Sequence, residues 1–381
     1  MININPINKQ VVFNGIRTIT NVYVSDSPKG TPKKSGRYII INLLYGPTID
    51  GASRIEFMPE FGKNVVLDSK YTIIQKSDIK HDGMVVISKN QTYLFNNEIK
   101  DNIIDCFKAN KSINGLAYQE YKPTFDGKDK ALIIWLHGSY ECGDDNLIQI
   151  LANKGASAFV QRKTQRLFGG AYVVAPQCPT NWMINDKNQE DYTQKIIDLV
   201  LELTVHHLDI DESRIYIGGC STGGYQVWKT ILAKPKMFAA GFMICPRYLP
   251  TKKELFRVKE LPIWLIHSKD DSLVPVENSL KAHDRLLKMN GNVTLTVYPE
   301  MKIEGRKING HFSWVPALNN YPSNAFGMHL FEWISKQTKV SQGLVLKPSK
   351  VKSSIVVQAT ATITGLGLVA YHLLKKKARR K

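Results

Sequence analysis

The 381-residue sequence predicts an α/β fold: a doubly wound, mostly parallel sheet preceded by a small all-β sandwich and followed by a membrane-crossing helix. Three observations predict it. From Lys130 onward, short apolar runs alternate with longer amphipathic ones, the texture of strands buried on both faces and linked by covering helices. Before about residue 115 the runs are short and β-rich, with turn-rich pieces between them and no helical period. Residues 353–374 form a 22-residue run without a charge, and "KKKARRK" follows it.

Taken in order, residues 1–115 hold "QVVFNG", "YIIINLLYG", "NVVLDSKYTIIQ" and "GMVVISKNQTYLF", separated by pieces such as "SDSPKGTPKKSG". Such spacing favours an antiparallel sandwich. Residues 116–338 form the larger unit. Its strands are read in "ALIIWLHG", "AYVVAPQ", "RIYIGG", "FAAGFMICP", "PIWLIHS" and "VTLTVYPE", and its helices in "NQEDYTQKIIDLVLELTVHHL", "ENSLKAHDRLLKMNG" and "NAFGMHLFEWISKQ". All six tryptophans fall here, as the bigger core requires. A basic linker, 339–352, leads to the apolar run 353–374 and the basic tail 375–381.

Composition excludes several classes. The net charge of +18 resembles a nucleic-acid signal, yet eleven Lys and Arg and no acidic residue lie in the last 46 residues, so the folded body is only mildly basic. The five cysteines are few and odd in number, which speaks against a disulfide-stapled module. No Cys/His spacing suits a metal, and no organic cofactor is implied. "MININPINKQVVFNG" shows no secretory signal, which leads to the expectation of a cytosolic start.

The stretch "GGCSTGG" places two nucleophile types side by side. The elbow pattern G-x-S-x-G fits one register only, Gly219, Ser221 and Gly223, because a cysteine-centred register would need glycine where Thr222 stands. A strand must turn sharply into a helix here with the apex in strained geometry, so its neighbours two positions away must be tiny. "RIYI" before and "YQVWKTILAK" after supply that strand and helix. Ser221 is therefore the candidate nucleophile, with Cys220 flanking it.

A serine hydroxyl needs a histidine to take its proton and an acid to orient that histidine. "PIWLIHSKDDSLVP" offers Asp270 and Asp271 just past a strand, and both stand open as the acid. His311 follows in a glycine-containing loop past the next strand. His329, in "FGMHLFEWI", reads instead as a packed core residue on an apolar helix face. Oxyanion donors are expected from the backbone N–H groups of Thr222, after the nucleophile, and Ser139, in "LIIWLHGSYECG".

These residues resemble the α/β-hydrolase superfamily, and more narrowly the prolyl-oligopeptidase-like or polyhydroxybutyrate-depolymerase-like esterases, often labelled predicted peptidases. The resemblance covers residues 116–336 and rests on "LHGSYECGDDN", "VVAPQCPTNW", "DESRIYIGGCSTGGYQVW", "PIWLIHSKDDSLVPVENS" and "GHFSWVPA". It implies Ser221 as nucleophile, His311 as base and Asp271, which fills the acid position of the family's D-x-x-V-P turn. It also implies an immunoglobulin-like domain for the β-rich first 115 residues. The sequence departs from the family at Cys142, where arginine is usual, and at Thr222, where methionine is common.

The expected function is hydrolysis of carboxylic esters, small or polymeric, by acyl transfer. A serine peptidase of the prolyl-oligopeptidase type would use the same triad. A non-catalytic, membrane-anchored binding protein on a hydrolase scaffold is a third reading, and a nucleic-acid partner is not expected. As a helix, 353–374 would extend about 33 Å, enough for a hydrocarbon core of about 30 Å. A single-pass C-terminal anchor is therefore the expected localisation; the side it faces is open, the flanking basic residues favouring a cytoplasmic tail.

Overall fold

The computed structural model describes residues 2–4, 11–13, 16–44, 55–58, 62–68, 72–94, 101–126, 129–184, 190–303 and 305–339. The chain divides into two compact units, Met1–Glu56 with Val65–Asp101, and Phe57–Asn64 with Asn102–Lys381.

The N-terminal unit is built of short strands. Ile19–Ser25 pairs antiparallel with Tyr38–Leu43, Thr72–Ile74 with Thr92–Leu94, and Ile79–His81 with Met84–Ile87. The expectation of a wholly antiparallel unit is corrected at one pair, since Val11–Phe13 runs parallel to Lys63–Asp68.

The second unit is an eight-stranded sheet. Its strands are β1 (Phe107–Lys111), β2 (Ala117–Tyr121), β3 (Lys130–Leu136), β4 (Ala171–Pro176), β5 (Ile210–Cys220), β6 (Ala240–Ile244), β7 (Ile263–Ser268) and β8 (Val293–Tyr298). Their spatial order is β1-β2-β4-β3-β5-β6-β7-β8. β2 is antiparallel to both β1 and β4, and every pair from β4 to β8 is parallel. Every residue of β3, β4, β6 and β7 is buried, as expected where helices cover both faces.

Two features correct the sequence reading. The hydrolase sheet begins at Phe107, so the boundary expected at 115 falls too late: β1 is β-rich like the strands before it, but its partner is β2. The helix read in 324–337 shortens to Leu330–Ser335. Asn324 Oδ1 accepts the N–H groups of Phe326 and Met328 and makes a turn of the preceding stretch. His329 is thereby extended at the helix start and exposed, not packed in the core.

Three helices carry the amphipathic signal: α1 (Thr193–His206), α2 (Thr222–Ala233) and α3 (Glu277–Lys288). On α1, Ile196, Leu199, Val200 and Leu203 form the buried stripe at helical spacing. The core joins these faces to the sheet, with Trp264 edge-on to Trp333 at 5.3 Å and Trp135 at 6.1 Å from Phe242. Among the described residues no helix is long and apolar enough to cross a membrane. The expected span 353–374 lies outside the described residues, as do the linker and tail around it.

The exposure of His329 has a measurable consequence. His329→Ala should change unfolding free energy by less than about 0.5 kcal/mol, as surface replacements do. Chemical denaturation checks it, and a loss well above about 1 kcal/mol would return His329 to the core.

Candidate active site

The parallel sheet places its functional side chains past the carboxyl ends of the strands. At the end of β5 the chain turns into α2 through Ser221, whose φ of 56° and ψ of −117° are unusual for a residue with a side chain. The surrounding backbone holds that strain. Ser221 N–H donates to the Ile244 carbonyl, and the Ser221 carbonyl accepts from Tyr225 and Arg247. A Cβ on Gly219 would lie 2.7 Å from the Leu136 carbonyl oxygen, and one on Gly223 would collide with the carbonyl oxygens of Leu136 and His137. Both positions need glycine because the end of β3 passes directly against the turn.

His311 sits in a short 3-10 turn, Gly310–Ser313, fixed by Asn309, whose Oδ1 accepts the His311 N–H. Its Nε2 is 3.0 Å from Ser221 Oγ, and its Nδ1 is 2.9 Å from Asp271 Oδ2. The structure thus joins Ser221, His311 and Asp271 in one hydrogen-bonded line. Asp270, the other open acid, turns elsewhere: its carboxylate accepts from Ser268 Oγ at 2.6 Å and from the Met301 N–H.

Burial alone would raise the Asp271 carboxyl. Hydrogen bonds from His267 and His311 overcome it and hold the group well below the usual carboxylate range. Burial likewise pulls His311 down, but Cys245 and Asp271 beside it reverse the sign and raise it above the ordinary imidazole value. Cys220 is different in kind. Burial, then the neighbouring Glu141, raises its thiol well above normal, and its Sγ faces Asn153 Nδ2 at 3.1 Å. Cys220 is thus held as a thiol aimed at Asn153.

Ser139 and Thr222 also meet, their hydroxyl oxygens 3.1 Å apart. Thr222 is the first residue of α2, so its N–H has no acceptor within the helix and sits at the positive end of the helix dipole. Ser139 opens the turn Ser139–Glu141 after β3, and two residues brace that loop. His137, pushed down to about 4 by burial, accepts the Cys178 N–H at Nε2, so Nδ1 carries the proton toward the Gly138 carbonyl. Glu141, pushed up to about 8 by burial, accepts the N–H of Gly138 and both the backbone and side-chain N–H of Asn153. Tyr140 between them stands 4.8 Å, ring to ring, from Phe57 of the same compact unit.

Among the described residues one group of metal-type donors converges, Cys245, Asp271 and His311, and it consists of two members of the hydrogen-bonded line and one thiol. All five cysteines are free. Sequence reasoning missed three residues: Glu141, Cys245 and His267. The last was visible only as one more buried position in "PIWLIHS".

Residues 10–87 match the family described as Esterase Ig-like N-terminal domain, and residues 180–307 match Phospholipase/Carboxylesterase. The crystal structure of a thermostable esterase is 30% identical with a TM-score of 0.69, over 84% of this chain and 86% of that one. The chain belongs to the α/β-hydrolase esterases that carry an immunoglobulin-like N-terminal domain. Acylaminoacyl peptidase of Pyrococcus horikoshii is 18% identical with a TM-score of 0.42, over 61% of this chain and 43% of that one. No curated protein matches the chain. In this esterase family member the β-rich N-terminal region is the immunoglobulin-like part, as the sequence resemblance implied.

The two acids can be separated by kinetics. Asp271→Asn would offer an amide N–H to His311 Nδ1 and favour the wrong tautomer, so kcat should fall on the order of ten-thousandfold. Asp270→Asn should cost less than about tenfold. Because His311 must be neutral to accept a proton, its raised pKa places the acid limb of kcat/KM above 6.5, the ordinary imidazole value. Equal losses in the two variants would leave the acid unassigned.

Proposed function

We propose that the protein hydrolyses carboxylic esters by acyl transfer, with Ser221 as nucleophile, His311 as general base and Asp271 as the orienting acid. The observation that carries the reading is the line Ser221 Oγ to His311 Nε2 at 3.0 Å and His311 Nδ1 to Asp271 Oδ2 at 2.9 Å, starting from a strained elbow serine. His311 takes the hydroxyl proton as Ser221 attacks the carbonyl carbon. The N–H groups of Ser139 and Thr222 receive the oxyanion, and His311 returns its proton to the leaving alcohol. Water, activated by the same histidine, then releases the acid and restores Ser221. None of these steps calls on a metal or organic cofactor.

Two observations support an ester over a peptide substrate: the carboxylesterase family match and the likeness to a thermostable esterase at 30% identity. The substrate is a small-molecule or polymeric ester. A purely binding role is disfavoured because every member of the triad is present and in hydrogen-bond contact.

The test is turnover of a panel of acyl esters against matched peptide amides. Ester turnover should exceed amide turnover at every acyl length, and Ser221→Ala should abolish both. Residual activity in Ser221→Ala, or labelling of Cys220 by a phosphonate probe, overturns the assignment. Preferential cleavage of the amides would favour the peptidase reading.

For localisation, we propose a single-pass anchor formed by 353–374, supported by the length of the uncharged run and the six basic residues after it. Full-length chain should resist carbonate extraction from membranes, whereas a version ending at Lys339 should be soluble. If both fractionate alike as soluble protein, the anchor is wrong. Protease access to the hydrolase unit in sealed vesicles then gives the side it faces.

A further inference from the structure

Asp271 holds two histidines on one oxygen. His311 Nδ1 lies 2.9 Å from Oδ2, and His267 Nε2 lies 3.2 Å from the same atom. The side chains of His267 and Asp271 are both at 0% exposure, so no water competes for this contact. We propose that His267 is a positioning residue for the catalytic acid: its Nε2–H fixes Asp271 Oδ2 opposite His311 and limits how strongly that oxygen draws the His311 proton. The proposal rests on the triad reading above and extends it by one residue.

The orientation of the His267 ring follows from its neighbours. Nε2 faces two acceptors, the Asp271 carboxylate and the Val274 carbonyl at 3.1 Å, so this nitrogen carries a proton. Nδ1 is 2.8 Å from the Ser279 hydroxyl. The ring is therefore held from three directions, by β7 through its backbone, by the acid loop at Nε2, and by α3 through Ser279 at Nδ1. No rotation of the ring preserves these contacts.

Asp271 shows why the contact bears on catalysis and not on packing alone. Its Oδ1 accepts the N–H groups of Leu273 and Val274, each at 2.9 Å. Its Oδ2 accepts from the two histidines, so four donors share one buried negative charge. Each donor withdraws charge from the carboxylate and weakens its pull on the others. Without His267, Oδ2 would serve His311 alone, its basicity would rise, and His311 would hold its proton to higher pH. Other ionisable groups around the contact are accounted for. Cys245, at the end of β6, donates to the His311 carbonyl; Asp270 is turned toward Ser268 and Met301; His283 and Glu277 share α3 with Ser279, and His283 is paired with Asp284.

The test compares His267→Leu, which removes the donor, with His267→Gln, which keeps an N–H near the Nε2 position, in the full chain. kcat and KM for an ester are measured from acid to alkaline pH, with thermal unfolding alongside. His267→Leu should lower kcat roughly tenfold to hundredfold, the worth of one hydrogen bond to a charged group, with KM within about twofold. Its acid limb should move upward, and His267→Gln should bring the limb back toward the wild-type position. Loss of stability with an unmoved limb and unchanged kcat would reduce His267 to a packing residue and overturn the proposal. If the leucine variant does not fold, Ser279→Ala loosens the ring while leaving His267 in place: an upward shift of its limb supports the proposal, and a wild-type profile overturns it. Failure of the triad reading is separate, since that would show as ester turnover surviving in Ser221→Ala.

Discussion

The buried carboxylate of Asp271 is the constraint around which the site is arranged. An ionised carboxylate taken from water costs several kcal/mol unless its oxygens find donors. Here the donors come from three places: two backbone N–H groups of the loop after β7, His267 on β7 itself, and His311 from the turn after β8. Satisfying the charge therefore ties the loop to the sheet and draws the turn at Gly310–Ser313 over it. The line to Ser221 is a consequence of where that turn must sit.

The second constraint is steric. β5 and the end of β3 approach until only glycine fits at 219 and 223. That approach holds Ser221 at positive φ, and it also puts the loop after Leu136 beside the first turn of α2. The same contact that strains Ser221 thus brings Ser139 and Thr222 together. Strain at the elbow is sustained by the sheet hydrogen bonds on either side, not by the serine itself.

Much of this was legible in the sequence because it rests on local rules. The glycine spacing fixed the register at Ser221, chain order pointed to His311, and apolar runs marked β3 through β8. What escaped depends on partners distant in sequence or on turn geometry. β1 reads like the strands before it, and only its pairing with β2 assigns it to the hydrolase sheet. His329 was misjudged because Asn324 closes a turn that the apolar pattern does not reveal. His267 lies four residues before Asp271, a spacing that on a strand separates two side chains by more than 10 Å. Only the turn at Asp270 and Asp271 folds one back onto the other.

Glu141 shows how a buried acid can brace the loop after β3 against the elbow. Burial pushes this group up to about 8, so it holds a proton more tightly than an ordinary carboxyl group. It accepts the Gly138 N–H and holds Asn153, which in turn contacts Cys220 beside Ser221. The loop and the elbow are braced against each other by these hydrogen bonds. In the proposed reaction, the helix dipole of α2 and the N–H groups of Ser139 and Thr222 would be the field that an oxyanion on Ser221 meets.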